Sequence, residues 1–438
     1  MSGVIGWIKG HLLIVVSCVL VVLFLPAGFV GSRMWNKNIR TKAETEFKDK
    51  DRQLSGQQRV QYTLPAVLAE ESAIEETRAP NARVTAHYAK LKSSREEQVS
   101  EIVGRATAFN AEGHGVLVEG LFPEAVTARD QDALTREFTR RLVGDERQAG
   151  AYELFFRRQG AGSPPDPAEV GALLSDAQQR LQDQIAPSTG ATRASLTPEQ
   201  TKTMQEELAA QRVGLYAARA DELAYYVLPD AITGAPTPGF AAVPTQVPVT
   251  TPPIETAFRW QWDYWALTDV LRAVSRANGD ELGSPVGVPA APIKRVDRVE
   301  VRVMNLAPAD PNTARGSTAG VPASPTYTGR LGTPGDDFDV RMVRLEAVVA
   351  PAKLPRFFDA LAQTNYMTVT GFQLEPLDPW AEIEAGYYYG SDHVARAVID
   401  IETVWLRSWT APLMPAKVRE ALGVKLPATE DAELDSEP

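Results

Sequence analysis

With one cysteine and four histidines in 438 residues, the chain has little material for metal or thiol chemistry. Cys18 lies inside an apolar run, so an intramolecular disulfide and a thiolate metal site are both excluded. None of His11, His87, His114 and His393 stands at metal-ligand spacing from another His or Cys. Positive charge is short as well: 45 Lys and Arg against 56 Asp and Glu leave a net charge of −11. Phosphate binding needs a concentrated positive field, and no basic stripe with interleaved aromatics supplies one, so nucleic acid is not expected as a partner. Ser391, Asp392 and His393 are adjacent, yet triads are assembled by the fold and no nucleophile elbow is present; a polar loop before a strand is expected. Gly113 and Gly115 flank His114 without a phosphate-loop frame and read as a turn. The acid pairs Glu70–Glu71 and Asp336–Asp337 fall in a solvated helix and a loop, poor places for general acid/base work. No catalytic residue, metal ligand or cofactor is expected, and the chain reads as a non-enzyme.

What the chain does have begins at its start. After a short segment, 1–11, residues Leu12 to Gly31 run without a charge for about the length that crosses a bilayer as a helix. Trp7 and Trp35 flank the run, as amphipathic rings do at membrane interfaces. The lipid bilayer is therefore an expected partner, and an uncleaved single-pass anchor at 12–31 is favoured over a cleaved signal peptide. Lys9 precedes the run, while Arg33, Lys37, Arg40 and Lys42 follow it. Taken alone, that charge bias places the bulk of the chain in the cytoplasm.

Residues 32–103 have the composition of a charged helical stalk, interrupted at Pro65 and Pro80. Val84, Tyr88, Leu91, Val99, Ile102, Ala106 and Phe109 trace an apolar seam broken at Arg95 and Gln98. The seam suits a coiled coil with a partner, contacting through Leu91, Val99 and Ile102, or a helix packed on its own domain. A helical module follows at 104–230. Its helix starts are marked by Asp166-Pro167 with Glu169 and by Thr197-Pro198 with Gln200, with a loop from Ala186 to Ser195 between them. Seven prolines between Pro229 and Pro253 predict a linker at 231–253.

Beyond it, alternation at Phe258, Trp260, Trp262 and Tyr264 predicts a strand, and Leu267, Val270, Leu271 and Val274 a helix. Val299, Val301 and Val303, then Val343, Leu345, Ala347 and Val349, predict two strands. Leu354, Phe357, Phe358 and Leu361 form a second helical stripe. The apolar phase switches across Gly371 in the next strand, which predicts a bulge. Ala397, Ile399, Ile401, Thr403 and Trp405 line a last strand. The pattern is a leading strand followed by helix–strand–strand twice, an α+β domain at 254–427. Five acids among residues 428–438 predict a disordered tail. The aromatic run Trp260–Trp265 reads as core, whereas Tyr387, Tyr388 and Tyr389 are candidate partner contacts.

The anchor, the charged stalk and "VRLEAVVAPAKLPRFFDALAQTNYMTVTGFQLEPL" followed by "VARAVIDIETVWLR" resemble the PilO/GspM type of inner-membrane platform protein of type IV pili and type II secretion systems. The resemblance covers the anchor and residues 258 to 407. The module at 104–230 and the loop from Leu306 to Asp337 exceed the usual family size, and the segment before the span lacks the cytoplasmic motif of PilN-type partners. The resemblance implies a ferredoxin-like domain and no catalytic residues. It also implies a scaffold pairing with protein partners of a pilus or secretion platform, as a homo- or hetero-oligomer. By the same resemblance, the bulk of the chain is expected in the periplasm, against the charge bias. The alternative is an envelope-anchored protein that binds a ligand or surface through aromatic loops.

The anchor makes a direct prediction. The mature protein should keep Met1 or Ser2 and stay in membranes through a carbonate wash. A mature N-terminus at residues 28–32 would identify a signal peptide instead.

Overall fold

A computed structural model describes residues 12–57, 60–64, 74–79, 81–189, 196–304 and 337–424. Trp7, Lys9, His11, Pro65, Glu70–Glu71, Pro80, the loop residues 305–336 and the acidic tail lie outside the described residues. The chain divides into two units, 1–105 and 106–438.

In the first unit, helix α1 (Leu12–Gln57) carries a window apolar enough to cross a membrane, and its described side chains there are exposed. Where the sequence suggests an interrupted helix, the chain makes a hairpin of β1 (Val60–Leu64) and β2 (Ile74–Arg78). Tyr62 of β1 is buried, with its ring stacked at 4.6 Å on Tyr88 of α2 (Ala82–Ala111) and its hydroxyl 2.8 Å from Thr85 Oγ1. The start of the apolar seam is thus covered by the chain's own hairpin.

The second unit holds α3 (Ala128–Val143), α4 (Ala151–Arg158), β3 (Ala161–Gly162), α5 (Pro167–Thr189), α6 (Pro198–Glu222) and β4 (Tyr225–Val227). After these come α7 (Ile254–Ala277), β5 (Ile293–Val301), β6 (Phe338–Val349), α8 (Leu354–Thr364), β7 (Met367–Pro376), α9 (Pro379–Glu384) and β8 (Ala395–Leu406). The short helices α10 (Arg407–Thr410) and α11 (Ala416–Leu422) follow. One six-stranded sheet, ordered β3-β4-β5-β6-β8-β7, organises the unit. β3, β4 and β5 run parallel, and the remaining pairs are antiparallel. The expected bulge is present: the β7–β8 register shifts between Val369 and Gly371.

Three expectations need correction. Residues 258–264 are helical. The aromatic alternation misleads because α7 is buried on most of its circumference, 16 of its 24 residues being inaccessible, so period 2 and period 3.6 both mark apolar positions. The proline-rich stretch is packed rather than a spacer: Ala241 N–H donates to Val301 O at 2.8 Å, Val303 N–H donates to Gly239 O at 3.0 Å, and Phe240 is buried. Proline favours extended backbone, and extended backbone also suits a sheet margin. Residues 104–230 are not a separate module, since β3 and β4 join the sheet and Phe138, Phe155 and Tyr225 enter the same core as Trp262 and Phe357. The sheet unit therefore begins at Ala106 rather than at residue 254. Of the two helix starts, the Thr197–Gln200 capping box forms in full, while Asp166 accepts from Ala168 N at 2.7 Å. The Ala186 loop gives way to helix as far as Thr189.

One face of the sheet is apolar and covered by α7 and α8; Val299, Val343, Leu345, Ile399, Ile401 and Trp405 are buried there. A polar cluster ties this face together. Asp269 on α7 is fully buried and accepts from His114 Nε2 at 2.9 Å, Asn365 Nδ2 at 2.7 Å and Arg272 Nη2 at 2.9 Å. Asn110, at the end of α2, donates to Asn365 Oδ1 and Val404 O and accepts from Leu406 N and Trp409 Nε1.

On α8 the stripe separates as its spacing requires. Phe357 is fully buried and Phe358 is 36% exposed. Phe357→Ala should cost about 3–5 kcal/mol of equilibrium stability. Phe358→Ala should cost about 1 kcal/mol or less. Equal losses in urea titrations would contradict this packing.

Candidate functional site

The second face of the sheet carries charge in an ordered pattern. Register places Glu300 opposite Arg344 and Arg344 opposite Asp400, and in the next row Arg298 opposite Glu346. Opposite charges directly across strands stabilise a sheet and fix its register. Arg344 Nε donates to Asp400 Oδ1 at 2.8 Å, and its guanidinium lies 4.9 Å from the Phe240 ring. Glu300 is buried and accepts from Thr237 N–H at 2.7 Å.

The Tyr387 loop closes part of this face. Asp378 caps α9 by accepting from Trp380 N, and Gly386 turns the chain at φ +92°. Of the three tyrosines expected as partner contacts, one is buried and two are half-buried. Tyr389 is buried and donates to Glu382 Oε2 at 2.8 Å. Tyr387 is half-buried, stacked on Tyr389 and lying 4.3 Å from the Arg295 guanidinium. Tyr388 is also half-buried and packs against the same small cluster as Tyr226 and Val348. Arg295 itself bonds Asp297 and Glu382. Burial pushes the Tyr389 hydroxyl well above its ordinary pKa. These contacts hold the loop on the sheet.

Next to it, Asp392 accepts from the buried Lys294 at 2.7 Å and from Lys353 at 2.6 Å. This accounts for the Ser391-Asp392-His393 sequence: the carboxylate is engaged by two lysines, while Ser391 and His393 are exposed. His114, read as part of a turn, follows a turn at 112–113 but is itself a buried core histidine stacked on Trp409. Of the stalk candidates, Leu91 and Val99 are half-buried and Ile102 is exposed.

Exposed aromatic side chains are found at Trp380 on α9, 76% exposed, and on β7. β7 is an edge strand, and beyond its bulge the segment from Phe372 to Pro376 is exposed on both faces. Phe372 and Leu374 are 42% and 43% exposed, and the Phe372 ring meets Phe358 edge-on at 6.1 Å. Phe358 and Phe372 belong to stripes visible in the sequence, but edge position depends on strand order, which periodicity does not encode. A cavity of about 520 Å³ lies near the opposite edge of the sheet, lined by Leu142, Tyr152, Phe156, Leu228 and Ile232; Glu153 and Arg157 at its margin pair with each other. Among the described residues no cluster of His, Cys, Asp and Glu is arranged to hold a metal.

No family model and no curated protein matches the chain. Among solved structures, a match is found to the type 4 fimbrial biogenesis protein PilO from Pseudomonas aeruginosa, at 16% identity and a TM-score of 0.13. The match covers 16% of this chain and 47% of that one, less than half of its length. A likeness of that extent carries no functional weight.

The lysine-held carboxylate predicts acid sensitivity. Burial alone would raise the Asp392 pKa, but hydrogen bonds from Lys294 and Lys353 bring it below the ordinary value. Its stabilising contribution is therefore present above about pH 4 and is lost as pH falls through the lowered folded-state pKa. Asp392→Asn should flatten this part of the stability–pH curve below pH 4. An unchanged acid limb would contradict the assignment.

Proposed function

We propose that the protein is a non-enzymatic, membrane-anchored scaffold of an envelope-spanning pilus-assembly or secretion machine. The observation that carries the reading is the β7 margin, where a ten-residue edge strand presents Phe372 and Leu374 to solvent beside Phe358. Soluble domains ordinarily blunt long edges, and an apolar one left open is a place for another chain to add. The ion pairs of the sheet's charged face support the same reading, because their geometry is accounted for by holding loops and strands in register. The succession of helix–strand–strand twice, with strands ordered β5-β6-β8-β7, suits a ferredoxin-like plait of the kind expected for PilO-like platforms. On this reading α1 crosses the inner membrane once and the sheet unit lies in the periplasm. The stalk seam at Leu91, Val99 and Ile102 adds a further contact for a homo- or hetero-oligomer.

A ligand-binding role is the second reading, favoured by the cavity beside α4 and β3. Affinity purification of the tagged full chain from detergent-solubilised membranes separates the two. The scaffold reading expects membrane-embedded and secretin-type assembly proteins in the eluate, reduced by Phe372→Ser without loss of thermal unfolding cooperativity. Recovery of no other envelope protein would contradict it. A periplasm-specific reporter fused after residue 60 should be active; activity of a cytoplasm-specific reporter there would reverse the topology.

A further inference from the structure

The partner at the β7 edge can be specified from the strand itself. Its sequence, Met367 to Pro376, contains no Lys or Arg, the residues that most often protect an edge. Its single charge, Glu375, already faces Arg396 on β8. The bulge between Val369 and Gly371 resets the side-chain phase, placing Phe372 and Leu374 opposite Ile399 and Ala397, on the face covered by the helices. Gln373 and Glu375 point to the charged face. The regular ladder available to an incoming strand therefore runs from Gly371 to Glu375 and is centred on Gln373. It is bounded by the bulge on one side and by Pro376, which has no N–H, on the other.

We propose that this edge pairs antiparallel with the β7 edge of a second copy of the chain, with Gln373 on the two-fold axis. The inference rests on the scaffold reading and names its partner. A two-fold axis normal to the sheet keeps both copies' faces aligned, so Phe372 of each copy lies opposite Leu374 of the other. Cross-strand apolar pairs of this kind are the unit of sheet stabilisation. Glu375 faces Gly371, so no like charges meet. Moving the axis to Glu375 would set two carboxylates opposite each other, and moving it to Phe372 would draw the bulge into the ladder. The short edge at β3, two residues long, offers no comparable register. The sheet would become continuous across two copies, twelve strands in all by doubling the six of one copy.

The test uses the full chain in native membranes, with Cys18→Ser removing the natural thiol. Two differently tagged copies are co-expressed, each carrying Gln373→Cys or, as the control, Glu375→Cys. Mild oxidation should convert the Gln373→Cys chain to a disulfide-linked dimer and leave the Glu375→Cys chain monomeric on a non-reducing gel. Adding Leu374→Lys to the Gln373→Cys chain should abolish the crosslink while leaving its thermal unfolding midpoint unchanged. Co-purification of the two tags with no crosslink at position 373, or with equal crosslinking at 373 and 375, would overturn this pairing while leaving the scaffold reading in place. Absence of both co-purification and crosslink would overturn the second copy as the partner. Assembly-protein recovery in the affinity experiment would then decide the scaffold reading separately.

Discussion

The buried carboxylate of Asp269 is the interaction on which the sheet unit turns. A buried carboxylate is tolerated when hydrogen-bonding groups surround it, and three converge here from different parts of the chain. His114 arrives from the turn after α2, Arg272 from the next helical turn of α7, and Asn365 from the junction between α8 and β7. Asn365 then passes the constraint on. Its side-chain oxygen accepts from Asn110 and from the Tyr366 N–H, and its carbonyl accepts from the Met367 N–H. The point where β7 begins is thus fixed by the same cluster that secures the end of α2.

From that fixed start the properties of β7 follow in order. Met367 and Val369 face the core, the bulge shifts the phase, and the strand runs out past the cover of α8 with Phe372 and Leu374 uncovered. The charged face sets the other boundary. Its alternating rows leave one register with opposite charges aligned, and the Tyr387 loop and the proline-rich segment pack against them. A register slip of one residue would bring the apolar residues of β6 and β8 to the charged side. The two faces therefore enforce each other, and the free end of the sheet carries the exposed side chains of Phe372 and Leu374.

The strands and the α8 helix were legible in the sequence because alternation at Val343–Val349 and Ala397–Trp405 and the stripe Leu354–Leu361 each match one period. The Gly371 bulge was legible for the same reason, as a break in phase. The helix at Phe258–Tyr264 was not, because an element buried nearly all round loses the contrast that periodicity measures. Nor was the docking of the proline-rich stretch, where Ala231, Gly239 and Ala241 make backbone bonds to Val299, Val303 and Val301, far along the chain. The Tyr387 loop shows the limit for surfaces. Three consecutive tyrosines suggest a contact patch, yet Arg295 and Glu382, one of them distant in sequence, hold Tyr387 and Tyr389 against the sheet. Pairing across the chain decides which aromatics remain exposed.

Hydrogen exchange along β7 tests the central claim that its outer edge is occupied in the assembled protein. In membranes containing the intact protein, amides from Gly371 to Glu375 should exchange slowly, approaching the protection of β8. The same segment should become fast in a Leu374→Lys variant while β5, β6 and β8 keep their protection. Equally fast exchange of residues 371–375 in both proteins would contradict the account.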